Sequence, residues 1–132
     1  MNDPGNLNDI LLLVGRLLLV LLFVASGIEK LFDFKAGLAE VNAKRLPLPA
    51  LALSATIALQ LVTGTCIAAG HYVPWAAIAL AGFTLATAVV FYPFWSAPAA
   101  ERAALKNGFL EHISIIGGCL LLIAAGPGKF VL

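Results

Sequence analysis

The sequence predicts an all-α protein, an integral membrane bundle of four transmembrane helices. Its composition is the first observation: 61% of the 132 residues are hydrophobic and 11% are charged, whereas soluble domains average about 45–50% and about 25%. The second is that the apolar residues gather into four segments close to the 17–25 or so residues that a membrane span needs. We therefore expect the bilayer to be the solvent for most of the chain.

Each predicted span is bounded by residues that suit the end of a helix. The first stops at the charged stretch Glu29–Lys35, and the second begins at Pro49, because a first-turn proline loses no helical hydrogen bond. The third ends at Pro93, and the fourth, which is the shortest, stops at Gly126. All of them belong to a single domain covering residues 1–132. The predicted spans are residues 10–28, 49–69, 73–92 and 110–125.

Two long connections carry most of the basic residues. Residues 29–48 are amphipathic, which predicts a short helix lying in the membrane interface, and residues 95–109 contain a helix-prone alanine-rich run. By the positive-inside rule both connections are cytoplasmic. We therefore expect a multi-pass membrane protein whose two termini face away from the cytoplasm. The basic residues of these connections are Lys30, Lys35, Lys44, Arg45, Arg102 and Lys106.

Several function classes find no support in the sequence. The net charge of +1 provides no basic face for nucleic acid. The two cysteines, Cys66 and Cys119, lack metal-ligand or disulfide-framework spacing. The two histidines, His71 and His112, are expected at opposite faces of the membrane, too far apart to hold one haem between them. No metal site and no cofactor motif is evident, and a quinone is the one cofactor that the residues admit.

Arg16 is the most costly residue of the predicted spans. At a rise of about 1.5 Å per residue it lies about 9 Å below the membrane boundary, where it either snorkels to the surface or faces the bundle. If it faces the bundle, it meets a polar side chain or an anionic ligand. Gln60, near the midplane of the second span, is the expected protein partner, and Thr84 of the third span lies at a similar height.

A second group of polar and aromatic residues gathers at the cytoplasmic ends of the spans. Tyr92 and Trp95 suit the membrane interface as anchors, while a histidine beside a carboxylate, as at His112, can relay protons or hydrogen-bond a quinone. Anchoring and a satisfied interfacial histidine are the simpler interpretations. The group consists of Glu29, Lys30, Tyr92, Trp95, Glu111 and His112.

Four short motifs, in this order and spacing, resemble the DoxX family over nearly the whole chain. Gly15-Arg16-Leu17-Leu18 with Ser26–Leu31 resembles its opening. Gln60–Gly64 is similar to the stretch on its second helix, Tyr92–Trp95 to the ending of its third, and Phe109–Gly118 to the opening of its fourth. The resemblance implies a four-helix bacterial inner-membrane protein, and the members that give the family its name are membrane subunits linked to thiosulfate:quinone oxidoreduction.

This chain departs from the family pattern at three positions. Gln60 replaces the usual acid, Tyr92 the usual histidine and His112 the usual asparagine. An amide does not titrate, so an acid–base role at that family position does not transfer to Gln60. The residues that match the pattern are Arg16, Gly27, Lys30, Trp95, Gly117 and Gly118.

The first functional hypothesis is a non-catalytic membrane subunit or partner of a quinone-linked redox enzyme complex, with no catalytic activity on its own. Its expected partners are the lipid bilayer and other membrane subunits. One alternative is a quinone-interacting oxidoreductase subunit with its own site near Trp95 and His112, and another is a small lipid- or solute-binding carrier. The candidate ligand or partner residues are Arg16, Gln60, Lys30, Tyr92, Trp95 and His112.

Overall fold

The computed structural model describes residues 7–130, and within this range the regular structure is entirely helical. Four of the helices, α1, α3, α4 and α5, are long and apolar enough to cross a membrane. The predicted all-α bundle of four membrane-spanning helices is therefore confirmed. The helices are α1 (Leu7–Phe32), α2 (Phe34–Ala43), α3 (Pro49–Ala69), α4 (Val73–Phe91) and α5 (Ala99–Ala125), with a 3₁₀ turn at Phe94–Ser96 between α4 and α5.

The fourth spanning helix differs most from its predicted bounds. It begins at Ala99 rather than at residue 110, so most of the expected connection is helix. The residues that follow Pro98 are alanine, glutamate, arginine and leucine, which are strong helix formers. Hydrophobicity alone missed this stretch because it is helical without being apolar. The short helix expected between the first two spans is present as α2, where the Asp33 side chain accepts a hydrogen bond from the backbone N–H of Ala36.

The spanning helices alternate in direction along the chain. Helix α1 packs along α3, α3 along α4 and α4 along α5, whereas α1 and α5 contact each other only slightly. One end of the bundle, here called the terminal end, contains the start of α1, the tight α3–α4 turn at Gly70 and the tail after α5. The other, the loop end, contains α2 and the 3₁₀ turn.

Two buried clusters hold the bundle together. The larger one joins α1, α3, α4 and α5 through side chains such as Phe23, Ile67 and Leu80. The smaller one fastens α2 onto α3 through Val41 and Leu53. Many large apolar side chains face outward instead, which is the arrangement expected of helices whose outer surface meets lipid tails.

Candidate functional site

Arg16 faces the inside of the bundle. Its side chain is 1% exposed, and its guanidinium donates only to backbone carbonyls among the described residues. Nε and Nη2 donate to the carbonyl of Ala68 at 3.3 and 3.2 Å. Nη1 donates to the carbonyl of Pro127 at 2.7 Å, and Nη2 also donates to that of Phe130. Arg16 therefore ties α1 to the end of α3 and to the tail beyond α5.

The position of these carbonyls explains why an arginine is stable here. Ala68 lies in the last turn of α3, where carbonyls have no partner within the helix and the helix dipole is negative. The carbonyls of Pro127 and Phe130 follow the end of α5 and are also outside any helix. The planar guanidinium, with five donors, can serve all three.

The expected contact between Arg16 and Gln60 is not formed in the described part of the chain, so that prediction was wrong. Gln60 lies on the same helix as Ala68 but eight residues earlier, which is about 12 Å along the axis. The guanidinium reaches the end of α3 and not its middle. Gln60 consequently belongs to a different region of the molecule.

That region is a cavity of about 270 Å³ at the loop end, lined by residues from all five helices. We call it the loop-end cavity. Its walls are largely aliphatic and aromatic, with polar groups distributed among them. The polar lining residues are Ser26, Lys30, Glu40, Thr56, Gln60, Thr84, Thr87, Tyr92 and His112.

Gln60 is the polar side chain of the cavity with the least satisfied surroundings. It is 5% exposed, and its Oε1 atom has no hydrogen-bond partner in the described part of the chain. A buried polar atom left unpaired costs about 1–3 kcal/mol. An unpaired polar atom on the wall of a cavity indicates a binding site for a ligand or for an ordered water.

Two threonines of α4 present oxygen lone pairs to the cavity. The hydroxyl of Thr84 donates to the carbonyl of Leu80 at 2.7 Å, and that of Thr87 to the carbonyl of Phe83 at 2.9 Å. A hydroxyl has one proton to donate, so both oxygens are left only with acceptor capacity toward the cavity.

His112 is held at the cavity by its neighbours on α5 and at the end of α4. Its Nδ1 lies 2.8 Å from the carbonyl of Gly108, and its ring packs against the ring of Tyr92 with centroids 4.7 Å apart. A β-carbon at Gly108 would overlap the Tyr92 ring. Because a carbonyl only accepts, Nδ1 carries the proton of the neutral ring and Nε2 is an acceptor.

The remaining polar groups come from the end of α1 and from α2. The Lys30 ammonium donates to the hydroxyl oxygen of Ser26, and Glu40 contributes a carboxylate from α2. Helix α2 lies close over α3, where a β-carbon at Gly37 would come within 3.1 Å of the Leu53 side chain. Helix α2 thus forms part of the cavity wall.

The structure divides the candidate residues between three places. Gln60, Lys30, Tyr92 and His112 line the loop-end cavity, whereas Arg16 lies toward the terminal end. Trp95 is also outside the cavity, although the second hypothesis placed a site beside it together with His112. It is 54% exposed.

Trp95 packs edge-on against two phenylalanines, with ring centroids 5.3 Å from Phe94 and 5.6 Å from Phe109. This aromatic group fastens the 3₁₀ turn to α5. Trp95 therefore does not share the loop-end cavity with His112, since the two side chains belong to different groups.

Four polar residues of the cavity were not singled out from the sequence as site residues: Ser26, Glu40, Thr56 and Thr87. For three of them the signal was present. Thr56 precedes Gln60 by four residues and Thr87 follows Thr84 by three, so each lies on the same helical face as a residue already considered. Ser26 gave the same signal, because it precedes Lys30 by four residues on α1. Glu40 gave none, because its place depends on how α2 folds back.

Among residues 7–130, no group of three His, Cys, Asp or Glu side chains is placed to hold a metal ion. Cys66 and Cys119 are free thiols, and neither lines the loop-end cavity. The chemistry that the cavity offers is therefore hydrogen bonding, with one ammonium and one carboxylate.

Four membrane-length helices with apolar outer faces define a polytopic membrane protein. A family model described as DoxX matches residues 11–93. The chain belongs to the DoxX family, as its motifs indicated, and it is an inner membrane protein of that family.

Two bacterial relatives match over nearly their full length, and a yeast relative matches over about a third of its own. The inner membrane protein YphA of Escherichia coli is 28% identical over 98% of this chain and 93% of its own. The inner membrane protein YqjF of the same organism is 31% identical over 94% of this chain and 90% of its own. The ER-derived vesicles protein ERV29 of Saccharomyces cerevisiae is 27% identical over 90% of this chain but 31% of its own. No solved structure matches the chain.

Proposed function

We propose that this protein is a membrane subunit that binds a quinone-type ring in the loop-end cavity on behalf of a partner redox enzyme, without catalysing a reaction alone. The observation that supports this most directly is Gln60, whose buried Oε1 atom has no partner among the described residues and belongs to a side chain on the cavity wall. A ring ligand bearing a hydroxyl group, as a reduced quinone does, would donate a hydrogen bond to this atom.

The size and lining of the cavity suit such a ring. Sites for small molecules are mostly apolar with a few placed polar groups, and usually measure about 300–1,000 Å³. At about 270 Å³ the loop-end cavity lies just below that range, which fits one or two fused rings. Phe23, Phe83 and Phe91 contribute aromatic wall, while Gln60 and His112 offer polar groups from different helices.

The packing of the helices offers a route from the lipid. Helices α1 and α5 contact each other only slightly, and both contribute to the cavity wall. On α1 this wall includes Leu22, which is 57% exposed. We propose that the ring enters between α1 and α5 while its isoprenoid tail stays in the bilayer.

We assign electron exchange to a partner protein, while the polar side chains of the cavity supply hydrogen bonds to the ring. The loop end carries α2 and the exposed start of α5, which form the surface nearest the cavity. A redox protein docked there would reach the ring most directly. Affinity purification from native membranes should recover a redox protein as a stoichiometric companion, and a chain that purifies alone under mild detergent would count against the partner.

Ring binding is tested with menadione and its reduced form, menadiol. Purified protein in detergent should bind at least one of the two saturably, and Gln60→Leu should weaken that binding about tenfold, the value of one hydrogen bond in an enclosed site. Thr63→Val is the matched control. Thr63 is buried one turn away on α3 and donates to the carbonyl of Leu59 at 2.6 Å, but it does not line the cavity.

Two outcomes would contradict the proposed binding. One is that neither form of the ring binds saturably to the wild-type chain. The other is that Gln60→Leu and Thr63→Val bind the ring equally well, which would place the ligand outside the loop-end cavity.

For the orientation we propose that the loop end is cytoplasmic and both termini are periplasmic. The loop end carries most of the basic residues, and the terminal end has Lys129 together with the buried Arg16, a distribution that the positive-inside rule assigns to a cytoplasmic loop end. With both native cysteines replaced by alanine, Lys35→Cys should resist an impermeant thiol reagent in intact cells. Rapid labelling from outside would reverse the orientation.

A further inference from the structure

We infer that the loop-end cavity selects the reduced, hydroxyl-bearing form of its ring ligand over the oxidised, carbonyl-bearing form. This inference rests on the proposed function and adds to it the redox state of the bound molecule. It follows from counting which hydrogen-bonding groups of the cavity have only one role left.

Both threonines of α4 are restricted to accepting. Their protons are already donated to the carbonyls of Leu80 and Phe83. The oxygens of Thr84 and Thr87 can therefore pair with a ligand only if the ligand donates. A carbonyl oxygen brought against them would meet lone pairs and would leave all three oxygens unsatisfied.

His112 has the same restriction on the opposite helix. Its Nδ1 proton is committed to the carbonyl of Gly108 at 2.8 Å, and contact with the tilted ring of Tyr92 limits the imidazole's freedom to turn over. In the neutral imidazole the other nitrogen, Nε2, has no proton. It accepts from a hydroxyl and repels a carbonyl.

Several groups of the cavity can serve either form. The amide of Gln60, the phenol of Tyr92 and the hydroxyls of Thr56 and Ser26 each contain a donor and an acceptor, and so they do not discriminate. Ser26 accepts from Lys30 and keeps its own proton. For Gln60 the atom left without a partner is the acceptor Oε1. A donating ligand satisfies it in the orientation that the side chain already has.

Lys30 is the group that favours the carbonyl form. Its ammonium has three protons, of which one is donated to Ser26. Glu40 offsets this preference, because its carboxylate only accepts. Of the residues with a single role, Thr84, Thr87, His112 and Glu40 accept and Lys30 alone donates, so the balance favours a ligand with two hydroxyl groups.

The test compares menadiol with menadione, which share one ring skeleton and differ in hydroxyl against carbonyl oxygens. Affinities are measured on the purified full-length chain, anaerobically, with menadiol held reduced by dithionite. We expect menadiol to bind about tenfold more tightly or better, since at least one hydrogen bond is made by one form alone. 1,4-Dimethoxynaphthalene, which has acceptors but no donor, should bind as weakly as menadione.

One substitution tests whether Thr84 causes the preference for menadiol over menadione. Thr84→Val removes the acceptor while keeping the shape, and the hydroxyl it deletes donates only within its own helix among the described residues. It should reduce the ratio of menadiol affinity to menadione affinity, whereas Thr63→Val should leave that ratio at the wild-type value.

The outcomes separate this inference from the proposed function. Equal affinities, or tighter binding of menadione, would overturn the preference for the reduced form while leaving ring binding in place. A menadiol preference that survives intact in Thr84→Val would also overturn it, because the selecting groups would then lie elsewhere. If neither compound binds, both the inference and the proposed function fail.

Discussion

Arg16 and Gln60 are both buried polar side chains inside the bundle, but they occupy opposite chemical situations. The guanidinium of Arg16 donates to three backbone carbonyls. Within residues 7–130, the Oε1 atom of Gln60 has no hydrogen-bond partner. The charged residue is thus the more completely satisfied of the two, although it is the more expensive one to bury.

The comparison shows that the cost of burial does not by itself mark a functional site. A buried polar group whose bonding capacity is filled by the fold stabilises the fold, as Arg16 does at the terminal end. A buried polar group that the fold leaves open has to be explained by something outside the chain. Gln60, on the wall of a cavity, is the residue of this second kind.

The largest expected effect on the free energy of unfolding is that of Arg16→Leu. It leaves the carbonyls of Ala68, Pro127 and Phe130 without their donor, at about 1–3 kcal/mol for each. The free energy of unfolding in detergent should fall by about 3 kcal/mol or more, and proteolysis near the C-terminus should accelerate because the tail is released.

Arg102→Leu is the matched control for Arg16→Leu. Arg102 also donates to a backbone carbonyl, that of Ala97 at 3.1 Å, but it lies exposed at the start of α5. Its replacement should change the free energy of unfolding by less than about 0.5 kcal/mol. Equal effects of the two substitutions would show that the buried carbonyl network contributes nothing special to stability.

An intermediate loss of stability is expected of Gly108→Ala. The added methyl group overlaps the Tyr92 ring, and overpacking of this kind costs about 1–3 kcal/mol. Gly82→Ala is its control, because nothing lies within 4 Å of the new β-carbon on α4 and alanine favours a helix by up to about 1 kcal/mol. Thermal unfolding should distinguish them, and a Gly108→Ala variant as stable as Gly82→Ala would contradict the close packing beside His112.

The smallest expected effect on the free energy of unfolding is an increase, caused by Gln60→Leu. Gln60→Leu replaces an unpaired buried amide by an apolar side chain of similar size, so the ligand-free protein should become more stable by about 1 kcal/mol. Chemical denaturation of the ligand-free protein measures this change. A loss of 2 kcal/mol or more would mean that Gln60 has a structural partner after all, and the comparison with Arg16 would no longer hold.

The sequence allowed most of the fold to be predicted because the bilayer imposes strict demands on it. Three spans were located nearly to their ends by apolar runs bounded by prolines or charges. The start of α5 was missed because its first turns are held by helix propensity and by packing of the 3₁₀ turn against Phe109, and not by hydrophobicity. Hydropathy reports immersion in lipid, and a helix that extends beyond the apolar layer gives no such signal.

Only part of the site was predictable, because the groups that some side chains contact lie far away along the chain. The common height of Gln60 and Thr84 follows from the helical rise alone, and both line the cavity. The partners of Arg16 are backbone carbonyls up to 114 residues away along the chain, which no side-chain pattern reveals. The role of Glu40 depends on the fold of α2 over α3, a tertiary feature that amphipathicity does not specify.

The most direct test of the account is the stabilisation that a ring ligand gives to three forms of the chain. A ligand at about 100 times its dissociation constant adds about 2.7 kcal/mol to the free energy of unfolding. With saturating menadiol, the melting temperature of the wild type should rise. That of Arg16→Lys should rise equally from a lower starting value, and that of Gln60→Leu should rise only about half as far, because a tenfold weaker ligand adds about 1.4 kcal/mol. An undiminished rise in Gln60→Leu would contradict the assignment of the loop-end cavity as the binding site.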